Sequence, residues 1–271
     1  MESKILFLGT GSEIAVTGKQ TRASGGIIIK TEDCQFHIDP GPGALVRAAM
    51  HGINVREHTA IFVSHEHTAH CSDVNALVSA MTLNGFDKHG VIIAADSFMK
   101  NNHLTEFHKN CVEKIIVANP GKKIGVESVE IHALKTSHND QSCIGFKFFT
   151  PKFVLAYTSD TKYDKDLIEQ YKKSDILILN VPFPFKTKDP KTLSSDDVVK
   201  IINKARPKLA IITHFGSKML ATNPIYEARE IQKQTKVQVI AAEDGMVLEP
   251  TSYSAGMKQK TLNLFPSKQK K

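Results

Sequence analysis

Three histidines fall within six residues in the stretch Ser64-His65-Glu66-His67-Thr68-Ala69-His70. It follows directly on Ala60–Val63, an apolar run that reads as a buried strand. The histidines therefore stand at a strand-to-helix junction, where a turn of the backbone can bring their rings together. Neutral imidazoles gathered in this way are good ligands for a borderline cation such as Zn²⁺. One histidine alone would be read as an ordinary surface or core residue, but three together call for a different explanation. Further donors stand just beyond other apolar runs: His138 in Thr136-Ser137-His138-Asn139-Asp140, Asp160 in Thr158-Ser159-Asp160-Thr161, and His214 after Leu209–Thr213. Ligands carried on separate strand ends would be held in place by a rigid sheet.

The elements that would position them alternate along the chain. Lys4–Leu8, Gly26–Lys30 and Gln35–Ile38 read as strands rich in Ile and Phe, followed by the turn Asp39-Pro40-Gly41-Pro42-Gly43 and a short helix over Ala44–His51. After the strand Ala60–Val63 come a helix over Asp73–Thr82 and a strand over Val91–Ala94. Strands are then expected at Ile115–Val117, Val129–Leu134, Ile144–Phe149 and Phe153–Tyr157. The second half alternates helices over Lys165–Lys172, Ser194–Ala205 and Pro224–Thr235 with strands over Ile176–Leu179, Leu209–Thr213, Val237–Ala241 and Met246–Leu248. Ser194 offers an N-cap, with Asp196 and Asp197 in the first turn where the helix dipole favours them. The pattern predicts an α/β fold with two β-sheets between outer helices. No repeat of 20–50 residues interrupts it, so residues 1–250 are expected to form one domain, with a basic C-terminal tail over 251–271.

With 271 residues, 41% of them hydrophobic, the chain can bury a substantial core, and no apolar run approaches the ~20 residues needed to span a bilayer. The opening residues lack a basic segment followed by an apolar one, so no signal peptide and no membrane association are expected. Cys34, Cys71, Cys111 and Cys143 are widely spaced and form no CxxC pair, which suits a reducing cytoplasm better than a disulfide framework. The net charge of +7 and a pI near 9.1 favour anionic partners, although Lys258, Lys260, Lys268, Lys270 and Lys271 of the tail carry much of the excess.

In its ligand order the sequence resembles the metallo-β-lactamase superfamily, whose signature is HxHxDH after a strand, followed by His, Asp and His. Leu8-Gly9-Thr10-Gly11-Ser12, Asp39-Pro40-Gly41 and Asp244-Gly245-Met246 extend the resemblance over nearly the whole chain, from about Lys4 to Glu249. It implies a four-layer αββα sandwich with a dinuclear metal centre, Zn²⁺ first among the candidates and Mn²⁺ or Fe the alternatives. Carried over residue by residue, His65, His67 and His138 would hold the first metal, His70 and His214 the second, and Asp160 would bridge them. Asp39 would accept a hydrogen bond that orients a ligand imidazole. A hydroxide between the metals would be the nucleophile, since coordination lowers the pKa of water to ~7.

Ala69 departs from the pattern. The family has Asp there, as a ligand of the second metal that also orients the water. Alanine has no donor, Glu66 should point away, and Asp73 would have an awkward reach. The second site is therefore expected to be weakened and activity impaired. The site is either naturally degenerate or carries an inactivating substitution, and the completeness of the other ligands favours the latter.

Several features lean toward phosphodiester substrates, whether RNA, DNA or a nucleotide. The Gly9-Thr10-Gly11-Ser12 opening and Thr158-Ser159-Asp160-Thr161 look similar to the ribonuclease Z branch, and two metals with a basic chain suit an anionic substrate. Against a true tRNA-processing enzyme, that branch places a His between the bridging Asp and the last ligand, whereas the corresponding stretch here contains none. Pro182-Phe183-Pro184-Phe185 could wall an apolar pocket or simply pack as a rigid loop. Lactone, β-lactam or thioester hydrolysis is the alternative, and non-catalytic metal or ligand binding the alternative of another class. A homodimer is compatible with the sequence.

Overall fold

The structure is a computed structural model that describes residues 3–254. In the first half, β1 (Lys4–Phe7), β2 (Ile27–Lys30), β3 (Gln35–Ile38), β4 (Ala60–Val63), β5 (Val91–Ala95) and β6 (Lys114–Ala118) pair in chain order. The second half pairs β7 (Lys123–Val126), β8 (Val129–Lys135), β9 (Ile144–Phe149), β10 (Val154–Tyr157), β11 (Ile176–Asn180), β12 (Leu209–Thr213) and β13 (Gln238–Ala241) in the same way, and β14 (Val247–Leu248) returns to the edge of the first sheet beside β1. Each sheet begins antiparallel and becomes parallel, from β3 onward in one and from β10 onward in the other. β4, β11 and β12 are buried at every position, as expected of parallel strands covered on both faces.

Phenylalanines join the two sheets. Phe36 and Phe62 from the first meet Phe146 and Phe148 from the second, with ring centroids 5.2–5.9 Å apart. The outer face of the first sheet packs against α2 (Ala44–Met50), α4 (Val74–Thr82) and α6 (Glu106–Cys111). That of the second packs against α7 (Ser195–Ala205), α8 (Ser217–Thr222) and α9 (Pro224–Thr235). The result is the four-layer αββα sandwich.

One expected helix is different in kind. Lys165–Tyr171 is a 3-10 segment rather than an α-helix. Its turns close through short-range bonds such as Leu167 N–H to Asp164 O and Lys172 N–H to Glu169 O. The buried Lys147 ammonium draws off the carbonyls of Gln170 and Lys172, at 3.1 and 2.6 Å, at the end where an α-helix would present them to solvent. Near the end of the described residues Pro250–Tyr253 forms a further 3-10 turn, and residues 255–271 of the expected basic tail lie outside the described residues. Among the described residues no helix is long and apolar enough to cross a membrane. The four cysteines are free and buried.

Candidate metal centre

Each of the six expected ligands follows the C-terminal end of a strand: His65, His67 and His70 after β4, His138 after β8, Asp160 after β10 and His214 after β12. The backbone turns sharply at these ends. Asp39, just after β3, Ser159, just before Asp160, and His214 all have positive φ, between 51° and 62°. Such conformations cost about 1–3 kcal/mol each and persist only where the surroundings over-determine them. At His214 the clamp is the Gly9-Thr10-Gly11-Ser12 loop. Phe215 N–H donates to Thr10 O at 2.6 Å, Ser12 N–H donates to Phe215 O at 3.1 Å, and the Thr10 hydroxyl is tied to Asp244 at 2.8 Å. Gly9 is needed because a Cβ there would lie 2.4 Å from the backbone of residues 23–25. Gly41 has the same role beneath the histidine loop, since its Cβ would meet the Ala69 carbonyl at 2.0 Å.

The donor atoms converge in two groups that share Asp160. His65, His67, His138 and Asp160 form one, and His70, Asp160 and His214 the other, the donors in each lying within 4.8 Å of one another. His67 Nδ1 lies 2.9 Å from His65 Nε2 and 3.4 Å from His138 Nε2. Asp160 Oδ2 lies 3.9 Å from Nε2 of both His65 and His138, and 3.5 Å from that of His70, while Oδ1 lies 3.4 Å from His214 Nε2. Ligands about 2.0–2.1 Å from a tetrahedral ion stand roughly 3.3–3.4 Å apart, so the two groups could each close around a cation with small adjustments.

Protonation points the same way. The outer nitrogen of three rings faces an acceptor and must carry the hydrogen. His70 Nδ1 donates to Asp39 Oδ2 at 2.9 Å, and His138 Nδ1 donates to Lys191 O at 3.1 Å. His65 Nδ1 donates to Ser64 Oγ at 3.0 Å, the hydroxyl itself donating to Asp39. In the neutral ring each Nε2 is then a bare lone pair directed into the site, and that of His70 is buried with no partner. Lone pairs of this kind facing one another and a carboxylate are stable around a cation.

Burial, with His70 beside it, holds the His65 imidazole well below the usual histidine range, and burial also lowers His67. Burial would depress His70 as well, but with no cation present Asp160 and Asp39 outweigh it and push the ring up to about 10, so a proton on Nε2 takes the place that a cation would fill by displacing it. Asp160 is held well below the carboxylate range by His214 and His70 in spite of its burial.

Asp39 organises the floor of the site. It accepts from Ser64 N–H and Ser64 Oγ, both at 2.7 Å, from His70, and from the Tyr157 hydroxyl at 2.7 Å. Burial and Asp39 keep Tyr157 a protonated donor. Asn180, at the end of β11, donates through Nδ2 to Tyr157 Oη at 3.1 Å and to Asp160 Oδ1 at 2.8 Å. Ser64, Tyr157 and Asn180 were not expected from the sequence. Asn180 carried a signal, being the only polar residue of the run Ile176–Asn180.

At position 69 no carboxylate takes the missing place. Glu66 turns outward to Asn101 and His103, and Asp73 accepts from Leu45 N–H at 3.2 Å. Ala69 lines a cavity of about 20 Å³ together with Asp39, His70, Tyr157, Asn180 and His214. On the solvent side a cleft of about 260 Å³ opens over the site, bordered by Glu13, His138, Asp160, Phe183, Lys191 and His214. Pro182 and Phe183 thus wall the cleft, whereas Phe185 packs against the core.

Comparison with known proteins agrees with this geometry. Residues 35–215 match the family model described as a β-lactamase superfamily domain. An uncharacterized protein of Methanocaldococcus jannaschii is 34% identical over 92% of this chain and 96% of its own length. A ribonuclease Z of Archaeoglobus fulgidus is 24% identical over 92% of this chain and 98% of its own. Among solved structures, the metallo-β-lactamase fold protein YhfI of Bacillus subtilis superposes with a TM-score of 0.79 at 20% identity, covering 92% of this chain and 99% of its own. A diphosphatase of the PhnP family superposes with 0.70 at 20% identity, covering 92% and 98%.

Proposed function

The chain belongs to the metallo-β-lactamase superfamily, and on that footing we propose that it is a metal-dependent hydrolase of phosphodiesters. The observation that carries the reading is the sharing of Asp160 by two converging ligand groups at the floor of an open cleft. His65, His67, His138 and Asp160 would hold one cation, and His70, His214 and Asp160 the other. Imidazole and carboxylate donors suit Zn²⁺, with Mn²⁺ or Fe as alternatives. When bound, such a pair supplies Lewis acidity to both the attacking and leaving oxygens and lowers the pKa of coordinated water to ~7.

The protein's own groups set the substrate. Lys191 borders the cleft and can meet a phosphate, and the Phe183 ring offers a stacking face for a base, with the Lys218 ammonium 5.7 Å above it. At about 260 Å³ the cleft falls just below the usual range of ligand pockets, about 300–1,000 Å³, and so suits a nucleotide or the end of a single strand rather than a duplex. Residues 161–213 contain no histidine, so no imidazole from that stretch protonates the leaving group. Phosphodiesters with acidic leaving alcohols should therefore be preferred. The ribonuclease Z relative supports a phosphodiester substrate. The apolar wall of Pro182 and Phe183 is the feature that would favour a lactone or thioester instead.

The test is turnover of bis-p-nitrophenyl phosphate and of a labelled single-stranded oligonucleotide by metal-reconstituted protein. Anisotropy of the oligonucleotide from low to physiological salt reports whether a strand binds at all.

A further inference from the structure

The structure has two anomalies on the side of the second ligand group. The first is the cavity of about 20 Å³ lined by Ala69, His70, His214, Tyr157 and Asn180. A volume of that size holds about one water molecule, and a buried water needs polar partners. The second is Asn180 itself. The side chain is 1% exposed, and both its amide hydrogens are spoken for, by Tyr157 Oη and Asp160 Oδ1. The two acceptors fix which end of the amide is nitrogen. Its Oδ1 is then a buried acceptor with no hydrogen-bond partner, and leaving such an atom unmet costs about 1–3 kcal/mol. The buried Nε2 of His70, on the same cavity, is likewise without a partner.

We propose that this cavity is a built water site, in which Asn180 Oδ1 accepts a hydrogen bond from a single water that serves as the remaining ligand of the second metal position, in place of a side chain at residue 69. The inference rests on the metal-centre reading above. It assigns Asn180 two separate duties. Its Nδ2 orients Asp160, which both ligand groups share, whereas its Oδ1 serves the second group alone. A carboxylate at position 69 would fill the cavity and make the Oδ1 duty redundant.

A double-mutant cycle on the full chain separates these duties, with Asn180→Ala made in the Ala69 background and in Ala69→Asp. Zinc stoichiometry and affinity are read by equilibrium dialysis with elemental analysis, and the second position by the visible spectrum of the Co²⁺-loaded protein. With Ala69 in place, Asn180→Ala should weaken the second metal by about tenfold or more, and by more than the first, which loses only the orientation of the shared Asp160. In the Ala69→Asp background the same substitution should cost the second metal several-fold less, because only the Nδ2 contact to the shared Asp160 is then lost. A high-resolution structure of the zinc-loaded Ala69 protein should place a water within hydrogen-bond distance of Asn180 Oδ1, a readout independent of how well the variants fold. Equal losses in both backgrounds, equal weakening of both metals, or a dry cavity in the zinc-loaded structure would each overturn the inference while leaving the metal centre standing. A chain that binds no divalent metal at all would overturn both.

Discussion

Asp39 Oδ2 stands 2.9 Å from Nδ1 of His70, and the same oxygen receives the Tyr157 hydroxyl at 2.7 Å. One carboxylate oxygen thus ties a first-sheet ligand to the end of β10 in the second sheet, across the middle of the sandwich.

Asp39→Ala would leave the Ser64 amide and hydroxyl, the Tyr157 hydroxyl and the His70 ring without their buried acceptor. The expected cost is about 3–5 kcal/mol of folding stability, measured by urea denaturation of metal-free protein. The second metal should weaken by about 10- to 100-fold as His70 loses its orientation.

His67→Ala and His214→Ala should separate the two ligand groups. The first variant loses the more tightly held metal, because three imidazoles and a carboxylate become two and one. The second loses only the weaker one. Elemental analysis after dialysis against dilute zinc distinguishes them, and loss of the same metal from both variants would contradict the division into two groups.

Ala69→Asp should strengthen the second metal by at least about tenfold and raise hydrolytic turnover at equal metal loading. The added carboxylate would enter the cavity that Ala69 shares with His70 and His214. Identical rates for the two forms on every ester would argue that position 69 is irrelevant to activity.

Away from the centre, His37 and His58 are buried as a neutral pair. His37 donates to Gly25 O at 2.7 Å and its Nδ1 faces His58 Nε2 at 3.2 Å, while Gln35 meets the other side of His58 at 2.8 Å. Burial lowers His37 to about 4 and, with His37 beside it, holds His58 well below 6.5. Between about 4 and 6.5 the unfolded chain therefore binds more protons than the folded one, so stability rises with pH there. It is complete above 6.5 and is lost as the pH falls toward 4. The His37 difference alone is worth about 3 kcal/mol at the acid end. Urea midpoints from pH 7.5 to 4.5 check the slope, which should be shallower in a His37→Gln/His58→Gln variant.

Much of this was legible in the sequence because the signals were local. β3, β4, β9 and β12 lie where their apolar runs end, and the six donors stand just past strand ends. α1 (Ile14–Thr17), α3 (Thr68–Cys71) and α5 (Asp96–Lys100), along with α6 and α8, were not legible. Helices of four to six residues are too short to show a 3.6-residue period. β7 was missed for a similar reason, its Lys123-Ile124-Gly125-Val126 alternation being broken by glycine. Within the site, Tyr157 read as a strand residue and Asn180 as the residue just past the expected strand Ile176–Leu179. Their hydrogen bonds span 118 and 20 positions, to Asp39 and Asp160, and no local pattern encodes such contacts.

If Asp160 and its two histidine groups form the metal-dependent phosphodiester-cleaving centre proposed above, zinc-loaded protein should hydrolyse a simple phosphodiester. The most direct test is the turnover of bis-p-nitrophenyl phosphate, a lactone and a chromogenic β-lactam by zinc-loaded protein, with Ala69→Asp and Asp160→Asn assayed alongside. Phosphodiester turnover should be abolished by a chelator and restored by zinc, increased by Ala69→Asp, and lowered by Asp160→Asn by a factor on the order of 100 or more. Turnover of the lactone or β-lactam with none of the phosphodiester, or phosphodiester turnover indifferent to both metal and Asp160, would contradict the proposal.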